Sequence, residues 1–261
     1  MTPLRTQNVT RYITPLREGG SLPALVEADD GFKYVIKFRG AGHGSKALIS
    51  ELIGGEVARA IGLRVPELVF LNLSEEFGRT EPDEEVQDLL KASRGLNLGL
   101  HYLGGSFTID PYTNPIDDMT ASKIVWLDAF LTNVDRTVRN TNMLLWNNEL
   151  WLIDHGASLY FHHSSNDWEK ASVTPFAYVR DHALLGKASK IEEADKYIRQ
   201  HITPRTLTKI ANMLPDEWLT EEGDTMTPAQ KREMYASFLT NRLKNSSVFV
   251  KQAIDARQSL I

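Results

Sequence analysis

The segment VDRTVRNTNMLLWNNELWLIDHG, residues 134–156, decides the fold of the region around it. Its centre consists of two short apolar runs, MLLW and LWLI, on either side of an Asn-Asn pair. Asparagine tolerates the positive φ angles that two-residue hairpin turns require. If Asn147 and Asn148 form the turn, Trp146 pairs with Glu149. The sequence therefore predicts a β-hairpin.

This hairpin brings three oxygen-bearing side chains to one end. Counting back along the ladder places Thr141 opposite Asp154. Asp154 then lies close to Asn140, with Asp135 in the loop just upstream, because cross-strand neighbours are about 5 Å apart. Carboxylate and amide oxygens without a histidine or cysteine partner favour Mg²⁺. The pattern therefore predicts a magnesium site of the kind used in phosphoryl transfer.

The spacing of these residues is typical of kinases. In the pattern Asp-x-x-x-x-Asn, Asp135 orients or deprotonates the acceptor hydroxyl, and Asn140 helps to hold the metal ion. Asp154, at the end of the returning strand, bridges the metal to the nucleotide phosphates. It stands in Ile-Asp-His-Gly, where many kinases have Asp-Phe-Gly.

A phosphoryl-transfer site also needs a lysine on a strand and a carboxylate that holds it. Lys37 lies inside the apolar run YVIKF, where burying an unpaired ammonium would be costly. In the helix that follows, Leu48, Leu52 and Glu56 recur at helical spacing, so periodicity alone nominates Glu56 as the partner. Glu51, on a more polar side of that helix, is the competing candidate.

Two glycine-rich turns are candidates for covering the nucleotide phosphates. The stretch REGGS, residues 17–21, offers Gly19, Gly20 and Ser21 just before the first clear strand. The stretch GAGHGSK, residues 40–46, opens a helix, and helix N-termini bind anions. It does not fit the register of a Walker A motif. The sequence leaves the choice between the two turns open.

The order of apolar patterns predicts an α+β chain with a small β-rich N-terminal lobe carrying one helix, and a larger, mainly helical C-terminal lobe carrying the hairpin. The expected divisions are an N-lobe over 1–75, a connecting or hinge region over 76–118 and a C-lobe over 119–261. The predicted strands cover 22–28, 32–38 and 66–73. The predicted helices cover 46–63, 83–92, 121–133, 190–200, 204–213, 228–244 and 247–258.

Composition limits the remaining possibilities. The 261 residues carry a formal net charge of −5, so no overall basic field favours nucleic acid or an anionic membrane. The absence of cysteine excludes disulfides, thiol catalysis and cysteine-ligated metal sites. No apolar run approaches the length of a membrane span, and the N-terminus lacks the apolar core of a secretory signal. We therefore expect a cytoplasmic protein.

With Lys37, Glu51, Asp135, Asn140 and Asp154 in this order, the chain resembles the HipA-like kinases, a distant branch of the protein-kinase-like superfamily. The resemblance is carried by EGGSLPALVEADDGFKYVIKFRGAGHG, SELIGGEVARAIGLRVPEL, DRTVRNTNMLLW and LWLIDHGASLYF. It implies a bilobal kinase fold, ATP and Mg²⁺ as cofactors, and transfer to serine or threonine.

The resemblance also implies roles for individual residues. Lys37 would contact the phosphates, Asp135 would be the catalytic base, and Asn140 and Asp154 would ligate the metal. Family members place the helix glutamate eleven residues before a glycine. That glycine is Gly62 here, so the resemblance selects Glu51.

The sequence departs from the family pattern at three points. His155 replaces the usual phenylalanine, and Thr137 stands where relatives often have histidine. The long N-terminal domain of full-length HipA toxins is missing, so neither a toxin role nor an antitoxin partner is implied. Two rival hypotheses stay open: a small-molecule or lipid kinase on the same fold, and a catalytically silent nucleotide-binding pseudokinase. The acceptor and the oligomeric state are not indicated.

Overall fold

The N-terminal part of the chain forms a closed β-barrel. A computed structural model describes residues 3–16, 22–42, 44–75, 77, 83–163 and 167–260. The barrel strands are β1 (Thr6–Pro15), β2 (Ala24–Ala28), β3 (Lys33–Lys37), β4 (Leu68–Leu73) and β5 (Gly95–His101). The predicted β2–β3 hairpin is confirmed, and it turns at Gly31, whose φ is 79°.

Two barrel strands were not predicted. The strand β1 pairs antiparallel with β2 and parallel with β4, and so closes the barrel. The strand β5 lies between β3 and β4 and pairs antiparallel with both. Because β5 falls inside 76–118, part of the segment predicted to be a connection belongs to the barrel. The same segment also contains the predicted helix, α2 (Glu84–Ala92).

The helix α1 (Gly44–Ala60) is buried on every side along much of its length. All of residues 48–58 are buried, and the helix contacts β5 as well as helices of the C-terminal part. Its side chains belong to the same hydrophobic core as the C-terminal helices. The helix α1 therefore connects the barrel to the rest of the protein and holds Glu51 in its interior.

The hairpin of the opening segment is confirmed. The strands β7 (Met143–Trp146) and β8 (Glu149–Leu152) pair with Trp146 opposite Glu149. The turn residues Asn147 and Asn148 have φ values of 50° and 61°, as this class of turn requires. A short strand, β6 (Phe107–Thr108), extends this sheet on the β7 side.

The C-terminal part is mainly helical. In α3 (Asp118–Leu131), the buried rings of Trp126 and Phe130 stack with their centroids 4.9 Å apart. The later helices are α4 (Trp168–Ser172), α5 (Ile191–His201), α6 (Pro204–Ala211), α7 (Asp216–Leu219), α8 (Pro228–Lys244) and α9 (Ser247–Gln258). Within the described ranges, none of the helices combines the length and apolar character needed to cross a bilayer.

Candidate active site

The ammonium group of Lys37 joins two carboxylates that are far apart in sequence. Lys37 Nζ lies 2.6 Å from Glu51 Oε2 and 2.5 Å from Asp154 Oδ1. The Lys37 side chain is only 11% exposed and that of Glu51 is fully buried. Burial lowers the pKa of Lys37, but the charges of Glu51 and Asp154 more than offset this and raise it. Lys37 is therefore charged, and it links β3, α1 and the end of the hairpin.

The structure decides between the two candidate glutamates. Glu51 accepts hydrogen bonds from Lys37 and, at 2.8 Å, from the backbone N–H of His155. Burial raises the pKa of Glu51, but Lys37 and His155 hold it below its usual range. Glu56 instead pairs with Arg59 at 3.2 Å. The choice of Glu56 from periodicity is wrong: Glu51 is the carboxylate that holds Lys37.

Asp135 lies between two asparagine side chains in the loop before the hairpin. Its Oδ2 accepts hydrogen bonds from Asn140 Nδ2 at 2.7 Å and Asn142 Nδ2 at 3.3 Å. Burial raises the pKa of Asp135 and the charge of Asp154 raises it further, while the two amides partly oppose the rise. Asn142 was not among the sequence candidates, although it follows Asn140 by two residues.

The hairpin brings Asp154 to this loop as its register predicted. The bond from Ile153 N to Asn142 O, at 3.0 Å, carries the pairing one step beyond β7 and β8. Asp154 then leaves the strand direction with a φ of 55°. Its side chain is 42% exposed, and its Oδ1 faces Lys37.

A buried arginine fixes the two ends of the hairpin. The Arg136 side chain is fully buried, and its Nη1 donates to the carbonyl oxygens of Asn142 at 2.5 Å and Ile153 at 3.4 Å. Its Nε donates to Asp128 Oδ2 at 2.6 Å. Burial raises the pKa of Asp128, but Arg136 and the hydrogen bond from His182 bring it well below its usual range. No sequence motif predicts this network, because Asp128 and His182 stand outside any motif.

The close approach of α1 to Asp154 depends on a glycine. A Cβ at Gly54 would lie 2.5 Å from His155 Cβ and 2.8 Å from its Cγ, which is too close for non-bonded carbons. Gly54 therefore allows α1 to pack directly on the residue after Asp154. On the same side of α1, Glu51 Oε2 accepts the hydrogen bond from the backbone N–H of His155.

The side-chain oxygen atoms near Asp154 are suitable ligands for a hard divalent cation. Because Asn140 donates through Nδ2 to Asp135, its Oδ1 is left to act as a ligand. The Oδ2 atom of Asp154 accepts no hydrogen bond from the described residues, since both bonds to this side chain use Oδ1. Among those residues there is no cluster of three or more His, Cys, Asp or Glu suited to a metal. The oxygens available here are those of the Asp154 carboxylate and the Asn140 amide.

Only one of the two glycine-rich turns can be compared with the prediction. Gly19, Gly20 and Ser21 lie outside the described residues. In the second turn, Gly40 N donates to Ser93 Oγ at 3.0 Å and Gly44 N donates to Ala41 O at 2.7 Å. These two N–H groups are already used within the protein.

Comparison with known families agrees with this geometry. A family model described as HipA-like kinase matches residues 9–250. The chain belongs to the HipA-like kinase family. The resemblance inferred from the sequence is therefore confirmed, and the family supports a kinase-like phosphotransferase. No curated protein matches this chain significantly.

Several solved structures are similar to this chain. The proinflammatory kinase CtkA of Helicobacter pylori superposes with a TM-score of 0.58 at 13% identity, over 99% of both chains. A Golgi casein kinase with Mn/ADP bound gives a TM-score of 0.47 at 10% identity, over 98% of this chain and 74% of the other. HipA of Shewanella oneidensis, solved with HipB and operator DNA, gives 0.44 at 10% identity, over 95% and 68%. The likeness to CtkA shows a protein-kinase-like fold.

Proposed function

We propose that this HipA-like kinase transfers the γ-phosphoryl group of ATP, with Mg²⁺, to a serine or threonine hydroxyl. The observation that carries the proposal is the position of Lys37 between Glu51 and Asp154. A strand lysine, a helix carboxylate and a metal-binding aspartate in one cluster are the parts that kinases use to hold nucleotide phosphates.

Lys37 is suited to hold a phosphate oxygen. An ammonium group has three N–H donors, and Glu51 and Asp154 take two of them. The third is left for the nucleotide. Glu51 is fully buried. Its negative charge therefore holds the Lys37 ammonium in place inside the protein.

Asp135 is suited to accept a proton from the acceptor hydroxyl. Its Oδ2 is held by Asn140 and Asn142, whereas its Oδ1 accepts no hydrogen bond from the described residues. The acceptor proton would therefore move to Oδ1. A pKa raised by burial and by Asp154 makes this carboxylate a stronger base than an exposed aspartate.

Asn140 and Asp154 supply the oxygens that would hold Mg²⁺. When bound, the ion would offset the negative charge on the phosphates during transfer. The Arg136 network supports this role because it holds the two strand ends that carry these side chains at a fixed separation.

A bilobal arrangement is part of this proposal. The barrel with α1 would act as the N-lobe and the helices from α3 onward as the C-lobe. Because β5 ends at His101 and β6, which pairs with β7 of the hairpin, begins at Phe107, the connection between the lobes would be the segment 102–106. The nucleotide would lie between the lobes, where Lys37 faces Asp154.

A transfer assay with γ-labelled ATP tests the proposal. Purified protein is incubated with labelled ATP and Mg²⁺, either alone to detect autophosphorylation or with mixed proteins, phosphoinositides or small alcohols as acceptors. The wild type is compared with the variants Asp135→Asn and Asp88→Asn. Asp88 is an exposed carboxylate on α2, so the second variant is the control. We expect label on seryl or threonyl residues, lost only in Asp135→Asn. Label only on lipid or small alcohols would show that the acceptor is not a serine or threonine residue. Nucleotide binding without transfer to any acceptor would indicate a pseudokinase.

A further inference from the structure

His182 is a buried histidine that the proposed chemistry has not yet used. Its side chain is only 3% exposed, and its Nε2 lies 2.9 Å from Asp128 Oδ2. Its Nδ1 accepts a hydrogen bond from the backbone N–H of Leu184 at 3.0 Å. Since Nδ1 accepts, the ring proton is on Nε2, and His182 donates it to Asp128.

Asp128 connects His182 to the catalytic loop, the segment 133–142 that carries Asp135. Its Oδ1 accepts a hydrogen bond from Asn133 Nδ2 at 2.9 Å. The Oδ1 atom of Asn133 in turn accepts the backbone N–H of Asp135 at 3.1 Å. Hydrogen bonds therefore run without a break from His182 through Asp128 and Asn133 to the main chain of Asp135.

The backbone around His182 also pairs with the catalytic loop. Thr137 and His182 form an isolated antiparallel bridge. Ala183 N donates to the carbonyl oxygen of Arg136 at 3.0 Å. His182 thus reaches the loop by two routes, one through side chains and one through the main chain.

The side-chain route does more than balance charge. Arg136 already neutralises Asp128 from the Oδ2 side, so the protein does not need His182 for that purpose. A second donor on Oδ2 instead fixes the rotation of the carboxylate. This rotation directs Oδ1 at Asn133, and both oxygens of the buried Asp128 carboxylate are thereby held by hydrogen bonds.

We propose that His182 is a positioning residue that sets the place of Asp135 by orienting Asp128. The inference rests on the proposed function, because it assigns His182 to the same phosphoryl-transfer site. His182 does not touch the reacting atoms. It acts through the main chain of Asp135, so its loss should affect the transfer step rather than nucleotide binding.

The test compares three variants of the full chain. His182→Met keeps the size of the side chain but has no N–H donor, whereas Gln in His182→Gln can present one at a similar distance. His201→Met is the control, since His201 is exposed on α5. We expect His182→Met to lower kcat about ten- to hundredfold with unchanged KM for ATP, and His182→Gln to recover most of the loss. An equal loss in both His182 variants, a fall in ATP affinity parallel to kcat, or no loss in His182→Met would overturn the inference.

Amide hydrogen exchange separates this inference from the proposed function. We expect the peptide covering 133–140 to exchange faster in His182→Met than in wild type or His182→Gln, while α9 is unchanged. This readout needs no turnover. If wild-type protein transfers no phosphate, the proposed function fails and the exchange rates still decide the role of His182. Unchanged protection of 133–140 in His182→Met would contradict that role.

Discussion

Lys37 and Asp154 are separated by 117 positions in sequence, yet their side chains meet at 2.5 Å. The contact joins the barrel to the end of the hairpin. It requires the pairing of β3 within the barrel, the register of β7 with β8 and the packing of α1 between them. The candidate site therefore depends on the whole fold and not on one motif.

The Lys37–Glu51 pair should contribute to stability as a unit. Removing one partner of a buried ion pair leaves an uncompensated charge, which costs about 3–5 kcal/mol. We expect Lys37→Met to lower the free energy of unfolding in urea by that order because Glu51 is fully buried. The double variant Lys37→Met/Glu51→Gln should lose less than the sum of the two single losses. Additive losses would show that the two side chains do not interact.

Glu51 and Glu56 provide a matched comparison on one helix. Glu51→Gln removes the charge that holds Lys37, so kcat should fall about tenfold or more. Glu56→Gln removes an ion pair with Arg59 and should leave kcat nearly unchanged, because the partners of Lys37 are Glu51 and Asp154. Steady-state kinetics at saturating ATP distinguish the two. Equal effects of both substitutions would be inconsistent with Glu51 as the partner of Lys37.

The pH dependence of kcat/KM should report Asp135. A base acts only when deprotonated, so kcat/KM should fall as the pH falls through the pKa of Asp135. Burial and Asp154 raise that pKa, so the acid limb should lie above the ordinary aspartate value of about 3.9.

Asn142 allows the direction of that shift to be tested. Its hydrogen bond lowers the pKa of Asp135. Asn142→Gly removes the bond and also suits the φ of 49° at this position. The acid limb should therefore move to higher pH in this variant. An acid limb that stays at the same pH or moves to lower pH would mean that a group other than Asp135 titrates.

Gly54 and Gly55 test the packing of α1 against the residue after Asp154. Alanine favours a helix over glycine by about 1 kcal/mol at either position. At Gly54, however, a Cβ would meet His155 Cβ at 2.5 Å, whereas at Gly55 it would meet a methyl of Leu68 at 2.9 Å. We expect Gly54→Ala to lower both Tm and kcat, and Gly55→Ala to leave kcat unchanged because the Leu68 side chain can move. Tolerance of Gly54→Ala with full activity would show that α1 need not lie so close.

Local signals in the sequence were sufficient for the hairpin. The Asn-Asn turn fixed its register, and with it the meeting of Asp154 with the Asp135 loop. The start of α8 was equally readable, because Thr227 caps the helix, Pro228 follows it and Gln230 completes the capping box. In such places one short segment contains all the information.

Tertiary context explains what the sequence did not reveal. In β1 only Val9 is buried, so this strand has no apolar alternation to detect. In α1 the residues 48–58 are all buried, so the helix has no apolar stripe and periodicity selected Glu56 wrongly over Glu51. The partnership of Asp128 with His182 spans 54 positions, and no local pattern marks it.

The most direct test of the central claim is the effect of Mg²⁺ on nucleotide affinity. Calorimetry would compare ATP binding, with Mg²⁺ and with chelator, in wild type, Asn140→Ala, Asp154→Asn and the double variant. If Asn140 and Asp154 share one ion at the end of the hairpin, Mg²⁺ should tighten binding about tenfold or more in wild type. Each single variant should lose this gain, and the double variant should lose nothing further. A full Mg²⁺ effect retained in either single variant would contradict the shared site.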